Sequence, residues 1–320
     1  VTSVKTMKDG IDFFFLSRSH ANRFVDFLDA VVPIRYKTSE RLITQDVHSG
    51  DSTYKFTFSV EIIPVCKDDL LCLPPKVSRA FGGMSQLVLC TKVGTSLHFL
   101  DPNTLAHGDM VTQVYWREPF IALASIKDAV EFFVLDIEPI KKDGKYCLAD
   151  AVVAKASDFG HNSITYTVRT HLGHILKPGD MVLGYDLTTS NFNDSHWDEA
   201  MNNGKNDFAD VVLIKKSYAH LRRGQGASRQ AGRGWKLKEL EKESGEAMTR
   251  ADEEQAEMDY QRFIEDIEED PEMRAAINVY RDTNAPMAMD VDDSSDEAAE
   301  LPKISLEELL EDLTLNDDLS

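Results

Sequence analysis

The sequence predicts a β-rich multidomain protein: a partial α+β domain, two small β-barrels, and then a helical and disordered acidic tail. Three observations carry this reading. Short strand-like runs with Gly, Pro, Asn or Asp turns between them recur at roughly 8–15-residue intervals through the middle of the chain, with no long helical pattern between them. Most of the acidity lies in the last third: residues 1–220 hold 23 basic and 27 acidic side chains, residues 221–320 hold 12 and 28. A stretch of cations separates that third from the middle, from Lys215 to Lys238, with eight basic residues and no acid.

The composition agrees with several folded units. The chain has 320 residues, 42% apolar and 28% charged, which is enough for hydrophobic cores. At roughly 100–200 residues per domain it suggests two or three domains. Lys plus Arg number 35 against 55 Asp plus Glu, a formal charge of −20. No uncharged apolar run of about 18 residues predicts a transmembrane helix, and no basic-then-apolar start predicts a secretory signal. Four cysteines in so long a chain make no disulfide scaffold, so a reducing compartment is expected.

Residues 1–62 form the partial α+β domain. Gly10 to Leu16 reads as a strand. Ser17 caps a helix in which Ala21, Phe24, Val25, Leu28 and Val31 recur at helical spacing, and Pro33 ends it. Strands around Tyr36–Thr44 and Tyr54–Ile63 follow, the second alternating in period two, with Asp46–Asp51 as the hairpin connection. One helix and three strands close no good core alone, and the chain opens on Val1 and not Met. The expectation is therefore half a domain whose other half precedes Val1.

Residues 63–130 and 131–218 read as the two small barrels. Their candidate strands are Leu70–Leu73, Gln86–Thr91, Ser96–Leu100, Met110–Tyr115, Phe132–Ile137, Cys147–Ala154, Ser163–Arg169, Met181–Tyr185 and Val211–Lys215. Residues 219–238 are a flexible basic segment rich in Gly. Residues 239–282 are charged and helical, with a helix from Lys236 to about Ile267 and a second from Pro271 to about Tyr280. The apolar positions Met248, Ala251, Met258, Phe263 and Ile267 look too sparse for a packed helix. Residues 283–303, with the acidic run Asp290 to Glu297, read as a disordered linker. Residues 304–320 regain leucines.

No catalytic motif is present: no P-loop, no Gly-x-Ser-x-Gly, no His-Glu-x-x-His and no dinucleotide fingerprint. Cys66, Cys72, Cys90 and Cys147 contain no Cys-x-x-Cys pair and read as buried thiols. His171 and His174 have ligand-like spacing but no neighbouring Cys or third His, so no metal is assigned to them. The basic block carries more. Lys215, Lys216, Arg222, Arg223, Arg229, Arg233, Lys236 and Lys238 suit phosphate contacts on RNA, an import-receptor groove, or a solvated linker. Trp235 among them suits stacking on a base or docking onto the barrels.

The sharpest local signal is terminal. Leu306, Leu309, Leu313 and Leu315, with Ile304 just ahead, follow an apolar-x-x-apolar-x-x-x-apolar-x-apolar spacing with acids between. The first three leucines share one helical face, and the last pair fits an extending end. This suits an amphipathic peptide laid into a partner's hydrophobic groove, and the spacing resembles a leucine-rich nuclear export signal.

At the level of whole segments, the chain resembles the family of nuclear export adaptors of the large ribosomal subunit, the nonsense-mediated mRNA decay protein three family. The resemblance runs through Asp9 to Phe15, Tyr36 to Ile43, Pro64 to Leu70, Leu100 to Leu105, Tyr115 to Phe120, Gly184 to Leu187, Trp235 to Leu240 and the long run Asp259 to Glu272. It implies an SH3-like and an OB-like barrel in an arrangement like translation factor 5A. It implies binding to the pre-60S particle, its rRNA and ribosomal proteins near the L1 stalk, and recruitment of a nuclear exportin with a Ran-type GTPase by the tail. It also implies shuttling between nucleus and cytoplasm. Family members begin with a zinc-binding region of Cys-x-x-Cys pairs, and nothing of that kind lies in these 320 residues. Zinc is thus expected only ahead of Val1, and no cofactor, no membrane and no enzymatic activity are expected of this chain. A translation-factor-like RNA-binding module that does not shuttle is the competing reading.

Overall fold

A computed structural model describes residues 1–7, 10–45, 50, 52–158, 162, 164–202, 208–218, 235–237, 250–277, 279–281 and 304. They fall into two compact units, Val1–Leu16 with Tyr218–Ser320, and Ser17–Ser217.

In the larger unit, Ser17 caps α1 (Arg18–Val31) through its hydroxyl, which accepts the His20 N–H at 3.4 Å. Pro33 then turns the chain into β3 (Ile34–Gln45), which pairs antiparallel with β4 (Ser52–Ile62) from Ile34↔Ile62 to Gln45↔Ser52. Most of this hairpin's connection, expected over Asp46–Asp51, lies outside the described residues. Two cations fasten the hairpin. The Arg18 guanidinium lies 4.2 Å over the Phe56 ring, and that of Arg35 lies 4.1 Å over the Trp116 ring.

The first sheet domain contains β5 (Leu70–Cys72), β6 (Leu87–Val93), β7 (Ser96–Leu100), β8 (His107–Val111) and β9 (Ala122–Ala124), in the antiparallel order β8-β7-β6-β5-β9. Short helices α2 (Pro75–Ala80) and α3 (Thr112–Tyr115) flank it. The strand expected over Met110–Tyr115 therefore ends at Val111. The run Val111-Thr112-Gln113-Val114-Tyr115 is rich in β-branched and aromatic residues, as strands are, but one helical turn swings Tyr115 into the core. There it is 1% exposed, packs edge-on against Trp116 and Phe120, and donates its hydroxyl to the Phe120 carbonyl.

The second domain contains β10 (Val130–Asp143), β11 (Tyr146–Lys155), β12 (Tyr166–Thr170), β13 (Met181–Asp186) and β14 (Val211–Lys216), in the order β12-β11-β10-β13-β14. The outer strands β12 and β14 approach one another, which curls the sheet toward a barrel. Phe132, Val134, Ala151, Val153, Val182 and Leu213 fill it. Between β13 and β14 the chain forms α4 (Ser195–Asn202), a helix absent from the sequence expectation. Asp194 starts it by accepting the His196 and Trp197 N–H groups at 2.8 and 3.0 Å.

In the smaller unit, β1 (Ser3–Met7) pairs with β2 (Gly10–Phe14). β15 (Trp235–Lys236) pairs with β16 (Tyr280–Arg281) beside α5 (Arg250–Glu269) and α6 (Pro271–Ala276). The helix expected from Lys236 is replaced at its start by β15, and the helix expected to reach Tyr280 stops at Ala276 before β16. Pro271 accounts for the break between helices, since it has no N–H for the Ile267 carbonyl, and the Arg274 guanidinium caps α5 by donating to the Ile267 and Glu268 carbonyls at 3.0 and 2.9 Å.

One glycine fixes the join between β13 and β14. A Cβ at Gly184 would sit 3.0 Å from the Val212 carbonyl oxygen and 3.1 Å from Leu213 Cδ2, beside a register slip between Leu183 and Gly184. Gly184→Ala should lower the unfolding free energy by about 1–3 kcal/mol. Urea denaturation measures this, and an undiminished midpoint would mean that the strands part without cost.

Candidate functional site

The larger unit is organised by strands that are apolar on both faces. In β5, Leu71 points into the first sheet's own core, while Leu70 and Cys72 point the other way. β6 repeats this, with Val88 and Cys90 on the core side and Leu87 and Leu89 opposite. In β14, Val211 and Leu213 enter the barrel core, while Val212 and Ile214 leave it. The outward sets meet in one cluster, closed by Tyr185, Trp197 and Ala200. Alternation alone produces this, since successive strand side chains point to opposite faces.

The rim of that seam is polar and tightly held. Asp68 adopts φ 69°, a left-handed conformation that Asp tolerates better than most residues. Its carbonyl accepts the Tyr185 hydroxyl at 3.0 Å, and its carboxylate lies 3.5 Å from Lys215 Nζ. Asp69 is 3% exposed, and its Oδ2 accepts the Cys66 N–H at 2.7 Å, while Oδ1 has no partner. Burial pushes the Asp69 carboxyl up to about 6, against the pull of the Cys66 N–H and with help from Asp68.

A second buried pair lies in the barrel. Burial would raise the Asp186 carboxyl. The Lys155 ammonium with which it pairs, and hydrogen bonds from the Thr188 and Thr189 hydroxyls, hold it well below the usual carboxylate range instead.

The expected site residues divide sharply. Lys215 and Lys216, the start of the basic block, are β14 residues committed to the fold. Lys216 is 9% exposed, with its Nζ 2.9 Å from Asp180, and Lys215 faces Asp68. Lys236 is exposed in β15. Arg222, Arg223, Arg229, Arg233 and Lys238 lie outside the described residues, as do Leu306, Leu309, Leu313 and Leu315.

Trp235 is 7% exposed and packs with Ile264 and Ile267 of α5, in contrast to the expected base stacking or docking on the barrels. The same cluster corrects the view of α5 as too sparse to pack, since Ile267 is fully buried. The apolar stripe is short but sits at i and i+3, opposite a tryptophan large enough to cover it. Ile304 packs partly buried against this cluster.

Cys72, Cys90 and Cys147 are buried, as the spacing suggested, but Cys66 is exposed. Burial pushes His171 down to about 4, and its Nδ1 has no partner. Among the described residues, no group of three His, Cys, Asp or Glu side chains could hold a metal ion.

Two small five-stranded sheet domains joined by one apolar seam, preceded by a helix and a long hairpin, define a β-rich multidomain scaffold. Models of the NMD3 second domain, the NMD3 SH3 domain and the NMD3 OB-fold domain match residues 1–62, 65–113 and 129–216. The chain is 46% identical over 331 residues to 60S ribosomal export protein NMD3 of Chaetomium thermophilum, covering 99% of this chain and 62% of that protein. It is 44% identical over 326 residues to the Saccharomyces cerevisiae protein of that name, covering 97% and 60%. It is 43% identical over 325 residues to that of Homo sapiens, covering 98% and 61%. The chain belongs to the NMD3 family, and it spans about three fifths of the length of the curated relatives it matches.

The buried Asp69 makes a pH prediction. Its folded-state value lies above that of the unfolded chain, so its contribution to stability is fully present below about pH 4 and is lost as pH rises through about 6. A rise of about two pH units corresponds to about 3 kcal/mol. Asp69→Asn should remove most of that loss, which urea unfolding at pH 4 and pH 7 measures. An unaltered pH dependence in the variant would show that Asp69 does not titrate as a buried acid.

Proposed function

We propose that this chain is part of an adaptor that binds the pre-60S ribosomal subunit and carries it from nucleus to cytoplasm. The observation that supports this is the naming of its relatives: proteins 43–46% identical over 97–99% of the chain are named 60S ribosomal export proteins. The two sheet domains hold the particle, through rRNA and ribosomal proteins in the region of the L1 stalk. The tail recruits a nuclear exportin together with a Ran-type GTPase. No step of this function needs a reaction at the chain itself.

The division of labour follows from physical chemistry. A rigid scaffold suits a large, fixed particle surface, because little ordering cost is left at binding. A short amphipathic segment suits a receptor that must bind and let go. Each of Leu306, Leu309, Leu313 and Leu315 contributes roughly 1.5–3 kcal/mol when fully buried in a groove, and ordering the segment opposes that gain. Affinity is then modest and needs most anchors together. Ile304, a further anchor, packs partly buried against the Trp235 cluster. Arg222, Arg223, Arg229 and Arg233, with Lys236 and Lys238, supply the cations for an import receptor or for RNA, whereas Lys215 and Lys216 are paired within β14's surroundings.

Changing Leu313→Ala and Leu315→Ala together should trap the protein and its bound subunits in the nucleus. Fluorescence localisation and sedimentation with subunits check this, and particle binding should persist. A double variant that cycles normally, or that loses particle binding, overturns the assignment of the tail. Replacing Arg222, Arg223, Arg229 and Arg233 by Ala should leave the protein in the cytoplasm when export is blocked. Continued nuclear accumulation would remove the block from nuclear entry. A protein that sedimented with particles but never entered the nucleus in any variant would favour a translation-factor-like module, the reading suggested by tandem SH3 and OB-fold domains.

A further inference from the structure

We infer that the polar face of the β3–β4 hairpin is an RNA-binding surface on which Lys37, Arg41 and Lys55 grip the sugar–phosphate backbone. The inference deepens the reading of a ribosomal partner and rests on it for the identity of the natural RNA.

The pairing sorts the hairpin into two unlike faces. Among the described residues β3 and β4 pair only with each other, so the ribbon belongs to no larger sheet. Directly opposed residues share a face, and the faces alternate along each strand. One face gathers Tyr36, Leu42, Tyr54, Phe56, Phe58 and Val60. Helix α1 meets that face, with the Arg18 guanidinium over the Phe56 ring. On the other face Arg41 stands opposite Lys55, and Lys37 stands opposite Ser59. Ser39 and Thr57 face each other between these pairs, and Arg35 faces Glu61 beyond Lys37. Every residue of this second face is exposed, and none is apolar.

Its charges are unbalanced. Arg35 is committed, since it pairs with Glu61 and lies 4.1 Å over the Trp116 ring. That pair uses the one carboxylate of the face. The Arg35 hydrogen bond holds the Glu61 carboxyl below its usual range, and Lys37 adds a weaker pull without pairing. Glu40 stands opposite Phe56 and so belongs to the aromatic face. Asp46 and Asp51, in the connection, lie outside the described residues. Among the described residues, no carboxylate lies within ion-pair range of Lys37, Arg41 or Lys55.

Arg41 and Lys55 are also like charges directly opposite one another, which weakens a hairpin. Where the second domain opposes two acids, Glu138 and Asp150, the Arg169 guanidinium answers Asp150 at 2.9 Å. Arg41 and Lys55 have no such counter-ion among the described residues, and an anion from outside would remove their repulsion.

The make-up of the face chooses the partner. A protein interface is built around an apolar centre and is poor in lysine, whereas this face has no apolar side chain. Cations interspersed with Ser and Thr hydroxyls are the groups that contact phosphate oxygens. Lys37 and Arg41 are four residues apart, about 13 Å along an extended strand, far enough to take separate phosphates.

The test uses the whole 320-residue chain with Lys37→Gln, Arg41→Gln and Lys55→Gln combined. A companion keeps the charges, with Lys37→Arg, Arg41→Lys and Lys55→Arg. Binding to purified large ribosomal subunits and to a short A-form RNA duplex is measured over a range of salt, and thermal unfolding is followed alongside. The Gln variant should bind both probes about tenfold or more weakly, and its log–log salt slope should be shallower by roughly 1 per phosphate contact removed. The charge-keeping variant should retain affinity and slope. The thermal midpoint of the Gln variant should hold or rise, because the like-charge pair is gone.

Equal affinity and slope for parent and Gln variant on both probes overturns the surface and leaves the ribosomal reading standing. Weaker subunit binding with unchanged duplex binding and slope also overturns it, in favour of an acidic protein contact. A midpoint that falls in the Gln variant alone overturns it too, since the cations would then be holding the hairpin together. A parent chain that binds the duplex through these three cations but not the subunits upholds the surface and overturns the ribosomal reading. A parent that binds neither overturns both.

Discussion

The structure of the larger unit depends on one constraint: the strands β5, β6 and β14 must be apolar on both faces. A sheet domain of about fifty residues buries too little surface to be comfortable alone. Leu70, Cys72, Leu87 and Leu89 on one side, and Tyr185, Val212 and Ile214 on the other, remove this difficulty by sharing one cluster. Each small domain has a private core and a common one. The relative placement of their outer surfaces is therefore set by well-packed side chains, which resist deformation, in place of a linker that would let them swing.

That constraint explains where the buried charges sit. A carboxylate beside an apolar seam is costly unless it is paired or protonated. Asp186 follows the first course, with Lys155, Thr188 and Thr189 around it; Asp69, whose Oδ2 accepts the Cys66 N–H, takes the second only below about pH 6 and bears the cost above it. Asp68 and Lys215, with the Tyr185 hydroxyl on the Asp68 carbonyl, bridge the two domains at the rim. Polar contacts of this kind add directional specificity to an apolar join that by itself has none.

How far the sequence alone carried the fold can be seen strand by strand. Short apolar runs bounded by turn residues located most of the strands, because such a run marks a strand whether one face or both are buried. It did not distinguish β5 and β6, buried on both sides, from ordinary core strands, so the shared seam was invisible. Val111 to Tyr115 misled for the opposite reason: a single helical turn is too short to show a 3.6-residue period, and tertiary packing of Tyr115 chose the conformation. β9 and α4 were missed because three-residue and eight-residue elements carry too few positions for a pattern. The Trp235 cluster was missed because β15 and β16 find each other across about forty residues and only pairing makes them strands. For the candidate sites, spacing gave the leucines and the cations as residue types, and only the strand context showed Lys215 and Lys216 turned to Asp68 and Asp180.

Net charge is a poor guide to what such a scaffold can bind. Residues 1–220 carry a small acidic excess, which would repel a polyanion if it were spread evenly. It is not spread evenly. Within the barrels many cations face carboxylates at close range, and their fields cancel beyond a few ångströms. At a Debye length of about 8 Å, only an unbalanced local group is felt by a partner's phosphates. Such a group must stand away from the packed, neutralised body of the fold. Lys155, Lys216 and Arg169, each within hydrogen-bond range of a carboxylate, are not such a group.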